Sequence, residues 1–162
     1  MFQKKAVIVF LLFAFWGYSI GCGKKTKTKE EHYPSGKLET IYTHNDAGKH
    51  DEVIKKYYPS GKIQKETTYK NNVKEGMYKE YDESGTLMVE ANYKDGKRDG
   101  IAKLYYKSGK LMVEANYKDD KRDGIYKRYN ENGKLMIEGN YKNGEEVSET
   151  CYDEQGNKKQ CP

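Results

Sequence analysis

The feature that most constrains this fold is a tyrosine that returns every twelve residues: Tyr57, Tyr69, Tyr81, Tyr93, Tyr105, Tyr117, Tyr129 and Tyr141. A glycine returns at about twice that interval: Gly36, Gly61, Gly85, Gly109, Gly133 and Gly156. Periods of this length are typical of repeat proteins, in which each unit packs only on its neighbours. The sequence therefore predicts an array of about five units of 24 residues.

Turn residues mark both ends of each half-repeat. Twelve residues hold one short strand and one turn, so each full unit predicts a β-hairpin. Ser108-Gly109 marks one kind of corner and Asp95-Gly96 marks the other, and such pairs favour hairpin turns. A helix is excluded because Gly and Asn interrupt the chain too often. We predict an all-β fold, an elongated single-layer antiparallel sheet of β-hairpins over residues 33–162.

Alternation along the strands predicts how the side chains divide between the two faces. Positions are counted here from each turn glycine. The tyrosines lie four residues before it and eight residues after it, and a Leu or Ile such as Leu111 lies two residues after it. All these offsets are even, so alternation along a strand places these side chains on the same face. All eight periodic tyrosines are therefore expected on one face, which is our candidate binding face. The Glu five residues after each glycine falls on the opposite face. We expect it to oppose the residue five before the glycine, namely Lys56, Glu80, Leu104 or Arg128.

The apolar content excludes a thick core. Beyond position 21 the chain has 16 Leu, Ile and Val and no Phe, but 15 Tyr, and 34% of all residues are charged. Such a chain has too little aliphatic surface for a deep-cored α/β enzyme. We expect the tyrosines to supply a thin aromatic ribbon in place of that core.

The first 21 residues have the pattern of a secretory signal. Lys4 and Lys5 precede an unbroken apolar run over residues 6–15. A run of this length is typical of a signal peptide and is shorter than a membrane-spanning helix needs.

The signal is followed at once by a cysteine. Residues 19–22 read Ser-Ile-Gly-Cys, which resembles the lipobox of bacterial lipoproteins, with Ser19 where that pattern usually has Leu. The resemblance implies removal of residues 1–21 and acylation of Cys22. The protein would then be lipid-anchored to a membrane of the bacterial cell envelope, facing the periplasm or the exterior. Residues 22–32 are expected to be the lipidated cysteine and a flexible tether. An uncleaved N-terminal anchor is the alternative.

The other two cysteines surround the last turn glycine. Cys151 lies five residues before Gly156 and Cys161 five after it, so a hairpin centred on this glycine brings the two together. An exported protein sits in an oxidising compartment. We predict a Cys151–Cys161 disulfide that closes the terminal repeat, with two unpaired thiols or a bridge between chains as alternatives.

The remaining residues point away from catalysis, metals and nucleic acid. His44 and His50, with Asp46 and Asp51, match no strong ligand spacing and are interpreted as solvated loop residues, so no metal site is predicted. The sequence has no nucleophile motif or phosphate-binding loop, so we predict no catalytic residue and no cofactor. The basic clusters carry their own acids, as in KDGKRDG at 94–100, and form no track for a phosphate backbone.

Residues 81–100 and 105–124 follow the pattern Y-x-x-x-G-K-L-x-x-E-x-x-Y-K-x-G-K-x-D-G most fully, and residues 129–144 nearly as well. This pattern resembles the variant MORN repeat of bacterial proteins. The resemblance implies a rod or shallow trough of successive hairpins with a binding or scaffolding role and no catalysis.

Three binding functions are compatible with this resemblance. The first is a membrane-anchored scaffold that presents its tyrosine-bearing sheet to a protein partner, since Tyr supplies large contact area at low entropic cost. The second is an antitoxin or immunity protein that captures a toxin, because some bacterial relatives are classed as antitoxins. The third is binding of a glycan or the cell wall through the aromatic face.

Overall fold

The computed structural model describes residues 26–45 and 52–161. Within these ranges the chain forms one antiparallel sheet of twelve strands, in which each strand pairs with its neighbours in sequence. The strands are β1 (Thr26–His32), β2 (Leu38–Asn45), β3 (Glu52–Tyr57), β4 (Ile63–Lys70), β5 (Val73–Tyr81), β6 (Leu87–Lys94), β7 (Lys97–Tyr105), β8 (Leu111–Lys118), β9 (Lys121–Tyr129), β10 (Leu135–Lys142), β11 (Glu145–Tyr152) and β12 (Lys158–Lys159). The predicted all-β, single-layer repeat of hairpins is confirmed. At about 4.8 Å between strands, the sheet extends for roughly 50 Å.

The N-terminal edge of the sheet differs from the sequence prediction. Residues 26–32 were expected to belong to a flexible tether, and this expectation is wrong because they form β1, which pairs with β2 from Thr26 opposite Asn45 onward. The charged sequence of β1 suits an edge strand, since charged side chains at an edge discourage addition of further strands. The predicted signal segment and Cys22 lie outside the described residues. No helix within residues 26–45 or 52–161 is long and apolar enough to cross a membrane.

Two kinds of turn alternate along the array. At the short corners two residues with positive φ join the strands, as at Asp95 (φ 50°) and Gly96 (φ 82°), which is the geometry that an Asp-Gly pair favours. At the long corners a bond from the Tyr106 N–H to the carbonyl of Lys110, at 2.9 Å in the central repeat, closes a loop of three residues. This loop ends on a glycine with positive φ, Gly109 (φ 78°). There the Gly109 N–H donates to the carbonyl of Tyr106 at 2.8 Å. The glycine is thus the last residue of the loop and not its centre.

This turn geometry changes the predicted register. Beyond the long corner Tyr105 pairs with Leu111 and Leu104 with Val113, so Met112 is an extra residue in a β-bulge. Each recurring Glu therefore opposes a Lys six residues before the glycine. The predicted partners of these Glu residues, Lys56, Glu80, Leu104 and Arg128, are wrong for this reason; the observed partners are Lys55, Lys79, Lys103 and Lys127.

The same bulge sends half of the periodic tyrosines to the other face. Tyr105 lies two residues after Lys103 and close to Glu90 and Glu114. Tyr117 instead pairs with Gly100 and Arg122, on the opposite face. Tyr57, Tyr81, Tyr105 and Tyr129 thus share one face, and Tyr69, Tyr93, Tyr117 and Tyr141 share the other. The prediction of a single tyrosine face is wrong because alternation does not carry through the extra residue.

One face, the Lys–Glu face, carries an unbroken row of alternating charges over strands β3–β10. Each member lies opposite a residue of the other sign: Lys55, Glu66, Lys79, Glu90, Lys103, Glu114, Lys127 and Glu138. The nitrogen–oxygen distance is 3.0 Å for Lys55–Glu66, 3.6 Å for Lys103–Glu114 and 3.3 Å for Lys127–Glu138. Each cross-strand pair contributes only about 0.2–1 kcal/mol. The whole row nevertheless helps to fix the register, because a slip by one residue would move every charge to the other face.

The most deeply buried side chains are small and lie on the second face. This cation–aromatic face is defined by Tyr93, Arg98, Tyr117, Arg122 and Tyr141 together with the residues of the same parity on their strands. Its buried members are at most 4% exposed: Thr40, Thr67, Ala91, Ala115 and Cys151. The tyrosines beside them are half-buried. The expected aromatic ribbon therefore borders a floor of small residues.

The C-terminal edge carries a disulfide. Cys151 and Cys161 are bonded, with their Cα atoms 5.3 Å apart. The register places Lys159 opposite Cys151, because the long-corner geometry again displaces the hairpin centre from the glycine. Strand β12 pairs with β11 only at Cys151 and Tyr152, so β11 contributes the longer part of this edge.

Reversing one charge of the Lys–Glu row tests its role. Glu114→Lys would place three lysines side by side, with Lys103 and Lys127 as neighbours. We expect the free energy of unfolding to fall by about 1–2 kcal/mol, because two attractive cross-strand pairs become repulsive. Urea denaturation measures this change. Glu131→Lys, at an exposed turn position, is the matched control, and an equal loss in both variants would contradict a role for the row.

Candidate binding surface

The cation–aromatic face repeats one contact along the array. A cation at the start of an odd-numbered strand lies over the tyrosine ring of the next even-numbered strand. The three examples are Lys74 with Tyr93, Arg98 with Tyr117 and Arg122 with Tyr141, each nineteen residues apart. Cations this close to a ring centroid are attracted by its electron-rich face, by about 0.5–1 kcal/mol at exposed sites and more when desolvated. The contact joins the two strands of one hairpin: β5–β6, β7–β8 or β9–β10.

In the first of these units the cation lies between two rings. The ammonium nitrogen of Lys74 is 3.7 Å from the ring centroid of Tyr78 and 3.5 Å from that of Tyr93. The two rings meet edge to face, with centroids 6.0 Å apart. Burial, together with the nearby Lys65 cation, lowers the pKa of Lys74 to about 8. Lys74 is therefore mostly charged at neutral pH, and it can lose its proton in mild alkali.

In the central unit the cation is held by the short turn between β8 and β9. The Arg98 guanidinium lies 4.1 Å from the Tyr117 centroid and donates from Nε to Asp120 Oδ1 at 2.8 Å. The main chain adds a further bond, because the Asp120 N–H donates to the carbonyl of Arg98 at 3.0 Å. The Arg98 hydrogen bond holds the pKa of Asp120 below its usual value. Arg98 is thus held in place on one side by an aromatic ring and on another by a carboxylate.

Three tyrosines outside the twelve-residue series also connect units, and the sequence reasoning missed them. Their hydroxyls donate to a carbonyl of the next unit: Tyr33 to Tyr57, Tyr58 to Tyr81 and Tyr106 to Tyr129, at 2.7–2.8 Å. All three stand three residues before a turn glycine, and this shared position is the signal that could have identified them. Asp82, Asn130 and Asp153 take the same position in the other units and accept main-chain N–H bonds inside their own loops.

The cation–aromatic face combines positive charge with apolar surface. Strands β5–β9 place four cations on it, Lys74, Arg98, Arg122 and Arg128, against the single acid Glu80. A short apolar row crosses its centre, where Val89 and Val113 flank Leu104, which is 37% exposed. Such a surface can contact a partner that offers carboxylates and apolar side chains.

Four of the eight tyrosines predicted to form the binding face lie on this surface: Tyr69, Tyr93, Tyr117 and Tyr141. The other four lie on the Lys–Glu face, where they pair with a Leu or Ile: Tyr57, Tyr81, Tyr105 and Tyr129. The candidate surface is therefore built from fewer tyrosines than predicted, and it includes cations that the sequence pattern did not single out.

The described residues offer one group with metal-ligating atoms close together. Glu149, Cys151 and Cys161 lie within 4.8 Å of one another, but both cysteines are joined in the disulfide. Of the predicted loop residues, His44 lies 3.1 Å from the Glu52 carboxylate. Asp46, His50 and Asp51 fall outside the described residues.

The repeats match a known family. Four consecutive segments fit the MORN repeat variant: residues 53–71, 74–95, 98–119 and 122–143. They cover a little over half of the chain, which therefore belongs to this family. No curated protein matches the chain. The family and the twelve-stranded sheet together define a repeat scaffold of the kind often used for binding.

Truncation of a ring on the cation–aromatic face is expected to cost far more than truncation of its exposed neighbour. Tyr117→Ala removes a half-buried ring under Arg98, and we expect it to lower the free energy of unfolding by about 2 kcal/mol. Lys118→Ala loses one exposed ion pair with Asp99 and is expected to change stability by less than about 0.5 kcal/mol. Urea denaturation of both variants gives the comparison, and equal effects would contradict the stabilising role of the ring.

The alkaline stability of the sheet tests the buried phenol of Tyr78. Burial raises the pKa of Tyr78 well above its usual value, and its hydrogen bond to Glu80 raises it further. A phenol with a raised folded-state pKa contributes stability that is present below its unfolded pKa of 10.0 and is lost as pH rises above it. We expect thermal unfolding from pH 10 upward to show a smaller loss of stability per pH unit in Tyr78→Phe than in the natural chain. Parallel curves would contradict this assignment.

Proposed function

We propose that this protein is a non-enzymatic, membrane-anchored repeat lipoprotein that acts as a protein-binding scaffold in the cell envelope. The observation that carries the proposal is the cation–aromatic face, where a floor of small side chains is bordered by half-buried rings and by cations over several consecutive units. Tyr and Arg are the residue types enriched where protein interfaces gain most of their affinity.

The two faces differ in how far their charged side chains are already paired within the sheet. On the Lys–Glu face each charge of the row already has neighbours of the opposite sign, so a partner would gain little from contacting them. On the cation–aromatic face, Arg122 lies over rings and Arg128 is exposed. We therefore assign the partner to the cation–aromatic face and expect it to be acidic and partly apolar.

The membrane anchor rests on the sequence. The basic start, the apolar run over residues 6–15 and the Gly21-Cys22 step support removal of a signal and acylation of Cys22. Two or more acyl chains hold a protein stably on a bilayer. The anchor would leave a repeat sheet roughly 50 Å long at the membrane surface for an extended contact.

Photo-crosslinking in cells tests the scaffold and its face together. A photoreactive phenylalanine analogue is placed at Arg128 on the cation–aromatic face or at Ile125 on the Lys–Glu face; both positions are exposed and lie on strand β9. We expect a discrete crosslinked protein from position 128 and none from position 125. Equal capture from both positions would contradict the choice of face, and no capture from either would contradict the scaffold.

The identity of the captured species separates the related functions. A toxin among the crosslinked proteins would identify the scaffold as an antitoxin or immunity protein. Retention of the purified protein by cell-wall polymer, without any crosslinked protein, would favour glycan binding through the aromatic rings.

A further inference from the structure

The central unit lacks a ring that its two neighbours possess. Seven residues before the turn glycine, β5 has Tyr78 and β9 has Tyr126, whereas β7 has Ala102. All three positions lie on the cation–aromatic face, opposite a small residue of the neighbouring strand: Ala91 for Tyr78, Ala115 for Ala102 and Gly139 for Tyr126. The repeat itself therefore indicates what would fill the space above Ala102.

The two rings that are present make the same contacts. Tyr78 meets Tyr93 edge to face at 6.0 Å and 69°, and Tyr126 meets Tyr141 at 5.8 Å and 72°. Each also lies beside the cation at the start of its own strand, with Lys74 at 3.7 Å from the Tyr78 centroid and Arg122 at 4.5 Å from that of Tyr126. In both units the cation thus has two rings against it.

In the central unit Arg98 has one ring against it, that of Tyr117, and the second ring is missing. Arg98 lies over Tyr117 at 4.1 Å, as the pattern requires, but Ala102 leaves the position between Arg98 and Leu104 unfilled. A depression of about 210 Å³ results. Its floor is formed by Ala91, Ala102 and Ala115. A closed apolar cavity of about 150 Å³ is enough to bind benzene, so the depression has room for one aromatic ring.

The chemistry of the depression also selects the kind of ring. The Tyr78 hydroxyl bonds to Glu80, two residues further along its strand. The corresponding residue in the central unit is Leu104, which lines the depression and offers no acceptor for a hydroxyl. A buried hydroxyl without a partner costs free energy. The site therefore favours a ring without a hydroxyl group.

We propose that the depression above Ala102 binds the side chain of a phenylalanine from a protein partner, in the place that Tyr78 and Tyr126 fill in the adjacent units. This proposal rests on the scaffold function and names the chemistry of its central contact. The incoming ring packs edge to face on Tyr117 and beside the Arg98 guanidinium, and its outer edge contacts Leu104 and the valines beside it.

A titration with N-acetyl-phenylalaninamide followed by NMR tests the site directly. We expect a dissociation constant of about 1–10 mM for a single ring, with shifts concentrated on the methyl groups of Ala91, Ala102 and Ala115. N-acetyl-tyrosinamide and N-acetyl-leucinamide should bind more weakly. Shifts spread over both faces, or stronger binding of a methyl glucoside than of the phenylalanine probe, would overturn the proposal.

Two variants make the test specific. Ala102→Phe builds the ring into the chain, and we expect it to raise the melting temperature and to weaken probe binding at least about tenfold; Ala102→Ser is the control that leaves the depression unfilled. Tyr126→Ala removes the neighbouring ring, and we expect a second set of shifts near Gly139 and Tyr141. Unchanged probe binding in Ala102→Phe, or no new shifts in Tyr126→Ala, would overturn the proposal.

The crosslinking experiment distinguishes this proposal from the scaffold itself. With the photoreactive group at position 128, we expect Ala102→Phe to lose most of the captured partner and Ala102→Ser to keep it. Full capture by Ala102→Phe would overturn the ring site and leave the scaffold standing. Binding of the probe without capture of any protein by the natural chain would overturn the scaffold and, with it, the protein source of the ring.

Discussion

A sheet of one layer has no second layer against which to bury its faces, and this constraint governs the whole molecule. Most antiparallel sheets have one face packed on a core and expose the other to solvent. Here both faces must be stabilised by the side chains that they carry. The stacking of a cation on the tyrosine of the following strand, as with Arg98 and Tyr117, meets this need on one face. Tyr and Arg suit the task because their apolar bodies can be buried while their polar ends reach water or a partner.

The two faces solve the same problem by different means. The Lys–Glu face uses complementary charge between adjacent strands, and the cation–aromatic face uses rings, guanidinium groups and small buried residues. Main-chain bonds between successive turns, such as that from Asp120 to Arg98, add a third connection along the array. Because each of these contacts joins strands or turns that are close in sequence, cooperativity spreads from unit to unit without any central cluster.

The sequence predicted the architecture well because the architecture is periodic. Tyrosines twelve residues apart and glycines at the corners are sufficient to indicate hairpins, and Asp95-Gly96 forms the turn that its residues favour. The division of side chains between faces was not predictable in the same way. It depends on the bulge at Met112, whose extra residue shifts the parity by one, whereas the displacement of the loop centre from Gly109 to Ser108 changes which residues pair and leaves the parity unchanged. The contact between Arg98 and Tyr117 was also not predicted, because the register must be known before residues nineteen apart in sequence can be identified as neighbours.

The pairing of every strand with only its neighbours in sequence has a mechanical consequence. Tension that pulls β1 away from β11 acts on one hairpin at a time, since each strand of the described sheet is hydrogen-bonded only to the strands before and after it. We infer that each hairpin released under such a load would lengthen the chain by about 70 Å, because its 24 residues extend to about 80 Å and its two strands span about 10 Å of the sheet before release. The disulfide keeps the last loop closed while this happens. The sheet can thus extend stepwise under load, one hairpin at a time, and shorten again as the hairpins refold.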